Sequence, residues 1–277
     1  MLKPSFTRYA AALGASLMLT LPIAAHAHRA FLLPSTTMAE NAGAVVTFDS
    51  SATEELFLPE HAVPLGTVTV DGPGHARPQP ENTWNGKQRS SFELKLPEAG
   101  TYRISLFNDS LNAMYKVDGQ MKRWRGDADS FAREVPADAQ DLNVMQMQGR
   151  NETFVRVGDH AGKTEWTTSG KGIEMTPLSS PVELLVGDTT SLRFTLNGKP
   201  AGDLAVTVIR GGNRYRDALG EITLKTDHDG KVSIKWPAAG MYWIGASTGR
   251  PPHGETGTLA KPLVRASYSA TLEVLQP

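Results

Sequence analysis

Almost every apolar stretch of this chain is short, alternates with polar residues, and ends at Gly, Pro, Asn or Asp. Val45-Val46-Thr47-Phe48 is one such run, and Leu65 to Val70, closed by Asp71-Gly72-Pro73-Gly74, is another. Phe92, Leu94 and Leu96 alternate with Ser91, Glu93 and Lys95; the turn Pro97-Glu98-Ala99-Gly100 follows, and then Thr101 to Phe107. In the second half, Thr190 to Leu196 runs into Asn197-Gly198, Leu204 to Ile209 alternates again, and Thr226-Asp227-His228-Asp229-Gly230 separates two further runs. Period-2 patterning with frequent turn residues specifies half-buried strands, and a sustained 3.6-residue period is missing. The reading is all-β. About seven strands in roughly the last 100 residues is the count of an immunoglobulin-like sandwich. The phrase Leu94-Lys95-Leu96-Pro97-Glu98-Ala99-Gly100-Thr101-Tyr102 echoes Ile234-Lys235-Trp236-Pro237-Ala238-Ala239-Gly240-Met241-Tyr242, as two similar sandwiches in tandem would.

Residues 1–27 read as a secretory signal peptide. Lys3 and Arg8 give a positive start, Tyr9 to Ala25 is largely apolar, and Ala25-His26-Ala27 places small residues before a cut. The apolar run is too short for a bilayer span and contains Pro22. The expectation is a cleaved, exported protein in the periplasm, not spanning the membrane after processing. The chain has no cysteine, so core packing must hold it together, and any metal must use His, carboxylate, Met or backbone donors.

Between Gly158 and Pro181 the alternation lapses into Gly-rich polar sequence, which reads as a linker. The division is therefore a signal peptide at 1–27, an N-terminal β-sandwich at 28–165 and a C-terminal Ig-like β-sandwich at 166–277. With 28 Lys and Arg against 29 Asp and Glu and no basic run, nothing supports nucleic-acid binding.

Several phrases carry a family resemblance. They are the opening His28-Arg29-Ala30-Phe31-Leu32-Leu33-Pro34-Ser35, the stretch Gly172 to Leu178, Gly187-Asp188, Asn197 to Gly202, Thr226 to Gly230, and Pro237 to Tyr242. Together they resemble the NikM-like family of exported proteins associated with nickel or cobalt uptake, much of it catalogued as a domain of unknown function. The resemblance implies a transition-metal-binding accessory of an uptake system, with nickel or cobalt as the metal. It also implies a membrane transport component as partner, and capture and hand-off without catalysis.

The residues themselves point to His28 first. A cut after Ala27 gives that residue both a free amine and an imidazole, which can close a chelate ring on one metal. His61, in an acidic loop beside Glu60, and His75, on a tight Gly-Pro-Gly turn, are the next candidate ligands. His160, His228 and His253 rank below them, with Asp227 and Asp229 serving a turn. Met114, Met121, Met145 and Met147 form no thioether cluster and read as packing residues. No nucleophile elbow or phosphate loop is present, so no catalytic residues are assigned. Two alternatives stand beside the metal reading. One is an envelope carbohydrate- or protein-binding Ig-like module, for which Trp84 and Trp124 would be the platform while Trp236 and Trp243 serve the core. The other is a copper enzyme built on an N-terminal histidine brace.

Overall fold

A computed structural model describes residues 28–249, 252 and 254–277; the signal-peptide assignment and His253 lie outside them. The chain is all-β, arranged as three sheets. A five-stranded sheet is ordered Arg29–Pro34, Ala44–Thr53, Ser90–Leu96, Glu81–Asn85, with the short His61–Ala62 strand also on Ala44–Thr53. A four-stranded sheet is built on Thr189–Leu196, flanked by Ile173–Pro177, Lys199–Pro200 and Lys231–Lys235. Between them runs a ten-stranded sheet. Its main path is Ile222–Lys225, Ala205–Arg210, Gly240–Ser247, Leu263–Leu275, Gln140–Val157, Gly100–Val117 and Thr67–Asp71.

The alternation seen in the sequence decides which core each strand serves. Successive side chains of a strand point to opposite faces, and on Gln140–Val157 this assigns Phe154 to one core and Val155 to the other. Val155 joins Leu32, Phe48, Phe92, Leu94, Tyr102 and Ile104 beneath the five-stranded sheet. Phe154 joins Phe194, Ile234, Trp236, Tyr242, Ile244 and Leu272 beneath the four-stranded sheet. The two Ig-like sandwiches are thus in tandem but share the central sheet. The junction is the parallel pairing of Gln140–Val157 with Leu263–Leu275, in register from Met145↔Leu263 to Thr153↔Thr271.

The echoed Pro-x-Ala-Gly phrases build the same device twice. Gly100 and Gly240 take φ of 136° and 137°, a backbone region open to glycine. Each strand then opens with a buried tyrosine. The Tyr102 hydroxyl donates to the Glu98 carbonyl and accepts from the Glu98 N–H, both at 2.9 Å. The Tyr242 hydroxyl donates to the Ala238 carbonyl at 2.8 Å. These are tyrosine corners, a hallmark of Ig-type sandwiches. Burial pushes both phenols above their ordinary pKa.

The segment read as a linker is more structured than its composition suggests. Ile173–Pro177 is a strand paired with Thr189–Leu196. Upstream of it, the Thr167 N–H and hydroxyl both donate to the Asp71 carboxylate, at 3.0 and 2.6 Å. Arg103, 5% exposed, donates to Asp71 and to the Thr167 and Met175 carbonyls. Burial disfavours its charge, but Glu152 and Asp71 more than offset this and leave its pKa raised.

A third, small cluster of Tyr115, Phe131, Val135 and Val144 extends the far ends of the central strands. It is closed by the helix Ala128–Glu134, where Asp127 caps the start by accepting from the Ser130 N–H at 2.8 Å. No helix among the described residues is long and apolar enough to cross a membrane.

Candidate metal centre

His28 stands immediately before the Arg29–Pro34 strand, and the register of that strand determines what it meets. Ala30 pairs with Ala52, and Ala52 pairs on its other side with His61. His28, two residues before Ala30, therefore falls on the same side of the sheet as His61, diagonally across the Ala44–Thr53 strand. The residue between them is only an alanine, so the two imidazoles meet above it, with ring centroids 4.8 Å apart. Glu60 completes the group: its Oε2 lies 3.8 Å from His28 Nε2. One ligand atom from each of His28, Glu60 and His61 falls within 4.8 Å of the others.

The loop that delivers Glu60 and His61 is fixed from both sandwiches. Glu60 Oε2 accepts from the Glu54 N–H at 3.3 Å. The buried Ser51 hydroxyl shares its proton between the Gln88 carbonyl at 2.7 Å and the His61 carbonyl at 3.1 Å, and the Ala62 N–H donates to the Lys87 carbonyl at 3.0 Å. From the second sandwich, Asn213 accepts from the Leu56 N–H at 3.0 Å and donates to the Glu54 carbonyl at 3.3 Å. Arg214 pairs with Glu55 at 3.3 Å. Phe57, at φ 69°, sets its ring edge-on to Phe31 at 5.5 Å, against Gly211, where a Cβ would lie 2.7 Å from the ring.

Two imidazoles and a carboxylate suit Ni, Cu, Zn, Co or Fe(II), and three protein donors leave coordination positions open. The His28 and Glu60 side chains are 46% and 38% exposed, so an ion there is reachable from solvent. Cleavage after Ala27 would add the amine of residue 28 to this set.

His75 does not join it. His75 is an exposed residue in left-handed backbone, φ 61°, at the end of the turn Pro73–His75. His160 is exposed on the segment after Val157. His228 forms a second acidic group with Asp227 and Asp229, but Asp227 is engaged in the turn, accepting from the Asp229 and Lys231 N–H groups at 2.9 and 2.8 Å. Glu60 was visible in the sequence only as a neighbour of His61; that its carboxylate turns toward His28 follows from the fold of loop 54–60.

Trp84 and Trp124 sit in different sheets. Trp124 is engaged by Phe131 and by Glu134, to which its Nε1 donates at 2.8 Å. Trp236 is in the core as expected, but Trp243 is not: it is partly exposed and lines a cleft beside His28. The missed signal was Trp-x-Gly. In Trp84-Asn85-Gly86, Trp124-Arg125-Gly126 and Trp243-Ile244-Gly245 the indole lies over the glycine two residues on, where a Cβ would approach it to 2.0, 2.5 and 1.9 Å. Such a glycine gives the indole a flat seat on its sheet, on the outer face for Trp84 and Trp243 and under the Phe131 cluster for Trp124.

The family model described as "Domain of unknown function (DUF4198)" matches residues 25–250. The chain belongs to that family. All three donors lie inside the matched span. No curated protein matches this DUF4198 chain. Among solved structures it is similar to the D0-D1 domain of Intimin, with 13% identity, 87% of this chain and 97% of that chain covered, and a TM-score of 0.22. It is also similar to the human OSCAR ligand-binding domain, with 14% identity, coverage of 89% and 98%, and a TM-score of 0.22. The Escherichia coli adhesin FdeC aligns at 13% identity, 91% and 98% coverage, and a TM-score of 0.22. At TM-scores this low, the likeness bears on neither the site nor a ligand.

Proposed function

We propose that this DUF4198 chain is an exported, periplasmic protein that binds a divalent transition metal, nickel or cobalt by the NikM-like resemblance, and passes it to a membrane transport component without chemical turnover. The observation that carries the reading is the convergence of His28, from the start of the Arg29–Pro34 strand, with Glu60 and His61, from one loop, within 4.8 Å. A half-exposed three-donor set favours exchange over permanent retention, because open coordination positions give an acceptor ligand somewhere to attack. Ligands must be deprotonated to bind, so metal uptake releases protons and strengthens as pH rises.

The test is metal titration of the processed protein, with residue 1 established by intact mass. One equivalent of Ni²⁺ or Co²⁺ is expected to bind. His28→Ala and His61→Ala should each weaken binding by at least the roughly 10–100-fold that loss of an outer partner costs. Wild-type affinity in both variants, or no binding of Ni, Co, Cu, Zn or Fe by the parent, would sink the proposal. A second reading, the copper histidine brace, is favoured by the placement of His61 beside His28. It requires copper-dependent consumption of a reductant and dioxygen, and without that turnover the capture reading stands.

A further inference from the structure

The second half of the central sheet has one face covered by the four-stranded sheet and the other largely open. Ile244, Ala246, Tyr268 and Ala270 point into the core, so the pleat turns Trp243, Gly245, Ser267 and Ser269 outward. On that open face the register sets Thr207, Gly245, Ser269 and Asn151 side by side across four strands. The next row includes Ser247, Ser267 and Gly149. A floor of such small residues, walled by the start of the Arg29–Pro34 strand, leaves a cleft of about 530 Å³, and His28 is on its rim.

The contents of this cleft can be argued from size and charge. A bare ion or a few waters, at about 30 Å³ each, would leave it mostly empty, whereas small organic ligands occupy sites of about 300–1,000 Å³. Arg29 and Arg265 line it, and among the described residues neither is in an ion pair. Glu221 is the one acid in the lining. Trp243 lays its indole flat over Gly245, covering that part of the floor. Its Nε1 donates to the Ala30 carbonyl at 2.8 Å, which ties the indole to the strand carrying His28, and Arg29 lies 5.9 Å from the ring centroid.

We propose that the cleft binds the organic part of a metal chelate, a small polycarboxylate. Its carboxylates would meet Arg29 and Arg265 while its metal is capped by His28, Glu60 and His61. Guanidinium forks match carboxylates bidentately, the serine and threonine hydroxyls of the floor accept or donate as needed, and a metal already held by carboxylates retains sites for the imidazoles. This rests on the metal-binding reading and names the form in which the metal arrives.

The experiment is calorimetric titration of the processed protein with Ni²⁺ alone, with nickel citrate and with the nickel–histidine complex, repeated on Arg265→Gln. Nickel citrate should bind about tenfold more tightly than Ni²⁺, the increment of one charge-assisted pair. Arg265→Gln should lose that advantage and keep the parent's affinity for Ni²⁺ alone, with an unchanged melting temperature as the folding control. Equal affinity for the ion and the citrate complex, preference for the histidine complex, or an undiminished advantage in Arg265→Gln would each overturn the cleft assignment while leaving the metal centre standing. Failure of Ni²⁺ alone to bind would instead count against the metal centre itself.

Discussion

Tyr102 in the first sandwich and Tyr242 in the second reach back to the same place, the carbonyl four residues upstream, from strands that begin with the same glycine geometry. Their contributions to the candidate site are nevertheless complementary. The first sandwich supplies the donors His28, Glu60 and His61 at its open end. The second supplies no donor, but it contributes Asn213 and Arg214, which hold the donor loop, and Trp243 with most of the cleft floor. The molecule has two cores with matching corners, and the candidate donors lie where an edge of one sandwich faces the open sheet of the other. Ligand sites commonly form at such junctions, because neither unit has to sacrifice its own core to make the cavity.

That division of labour can be broken at several strengths. The largest effect is expected from Arg103→Met. Asp71 and Glu152 would lose their shared buried cation, leaving Asp71 only the half-exposed Arg77 at 3.4 Å, at a cost of about 3–5 kcal/mol. Because Arg103 bonds Asp71 of the first sandwich and the Met175 carbonyl of the second, chemical denaturation should change from one transition to two if the sandwiches depend on this joint. A single transition at the wild-type midpoint would show that the joint is dispensable.

The tyrosine corners come next. Tyr102→Phe removes two hydrogen bonds and Tyr242→Phe one. Losses of about 2 and about 1 kcal/mol respectively are expected in equilibrium unfolding. The reverse order would mean that the matched corners are not equivalent in load.

Asn213→Ala, in the second sandwich, should weaken metal binding at the first by about tenfold, as loss of an outer partner does. Calorimetry that returned the parental affinity would show that loop 54–60 holds its shape unaided. The smallest effect is expected at the second-sandwich hairpin. The Lys231 N–H, ahead of the Asp229 N–H, holds the exposed Asp227 carboxyl below its ordinary 3.8. A depressed folded value means that its stabilisation is present above 3.8 and fades as pH falls through the folded value. Asp227→Asn should therefore lower the melting temperature slightly at neutral pH and not at all in strong acid, and equal deficits at both pH values would contradict that assignment.

Local sequence was enough for the hairpins. Alternation places Phe92, Leu94 and Leu96 in the core, and the two Pro-x-Ala-Gly turns form as their residues dictate. His28 and His61 could be nominated, the first from its position after a cleavage pattern and the second from its acidic loop. Their meeting could not be read, because it depends on the register of two short pairings flanking Ala52. Ile173–Pro177 read as linker because its partner strand begins twelve residues later and its flanks are rich in glycine and polar residues. Trp243 read as core because period-2 patterning marks a strand without saying which of its faces is covered.

The parallel joint of the central sheet has a consequence for how the molecule comes into being. Ser269 bonds Asn151 across 118 residues of chain, and Leu263–Leu275 is synthesised after the other described strands. Contacts of such long sequence separation form late. A chain whose first sandwich has already formed still lacks the loop at Asn213 and the indole of Trp243. The candidate donor set is then present without its brace. The candidate site reaches its described shape only once Leu263–Leu275 has slotted in beside Gln140–Val157, which couples the geometry of the site to folding of both sandwiches.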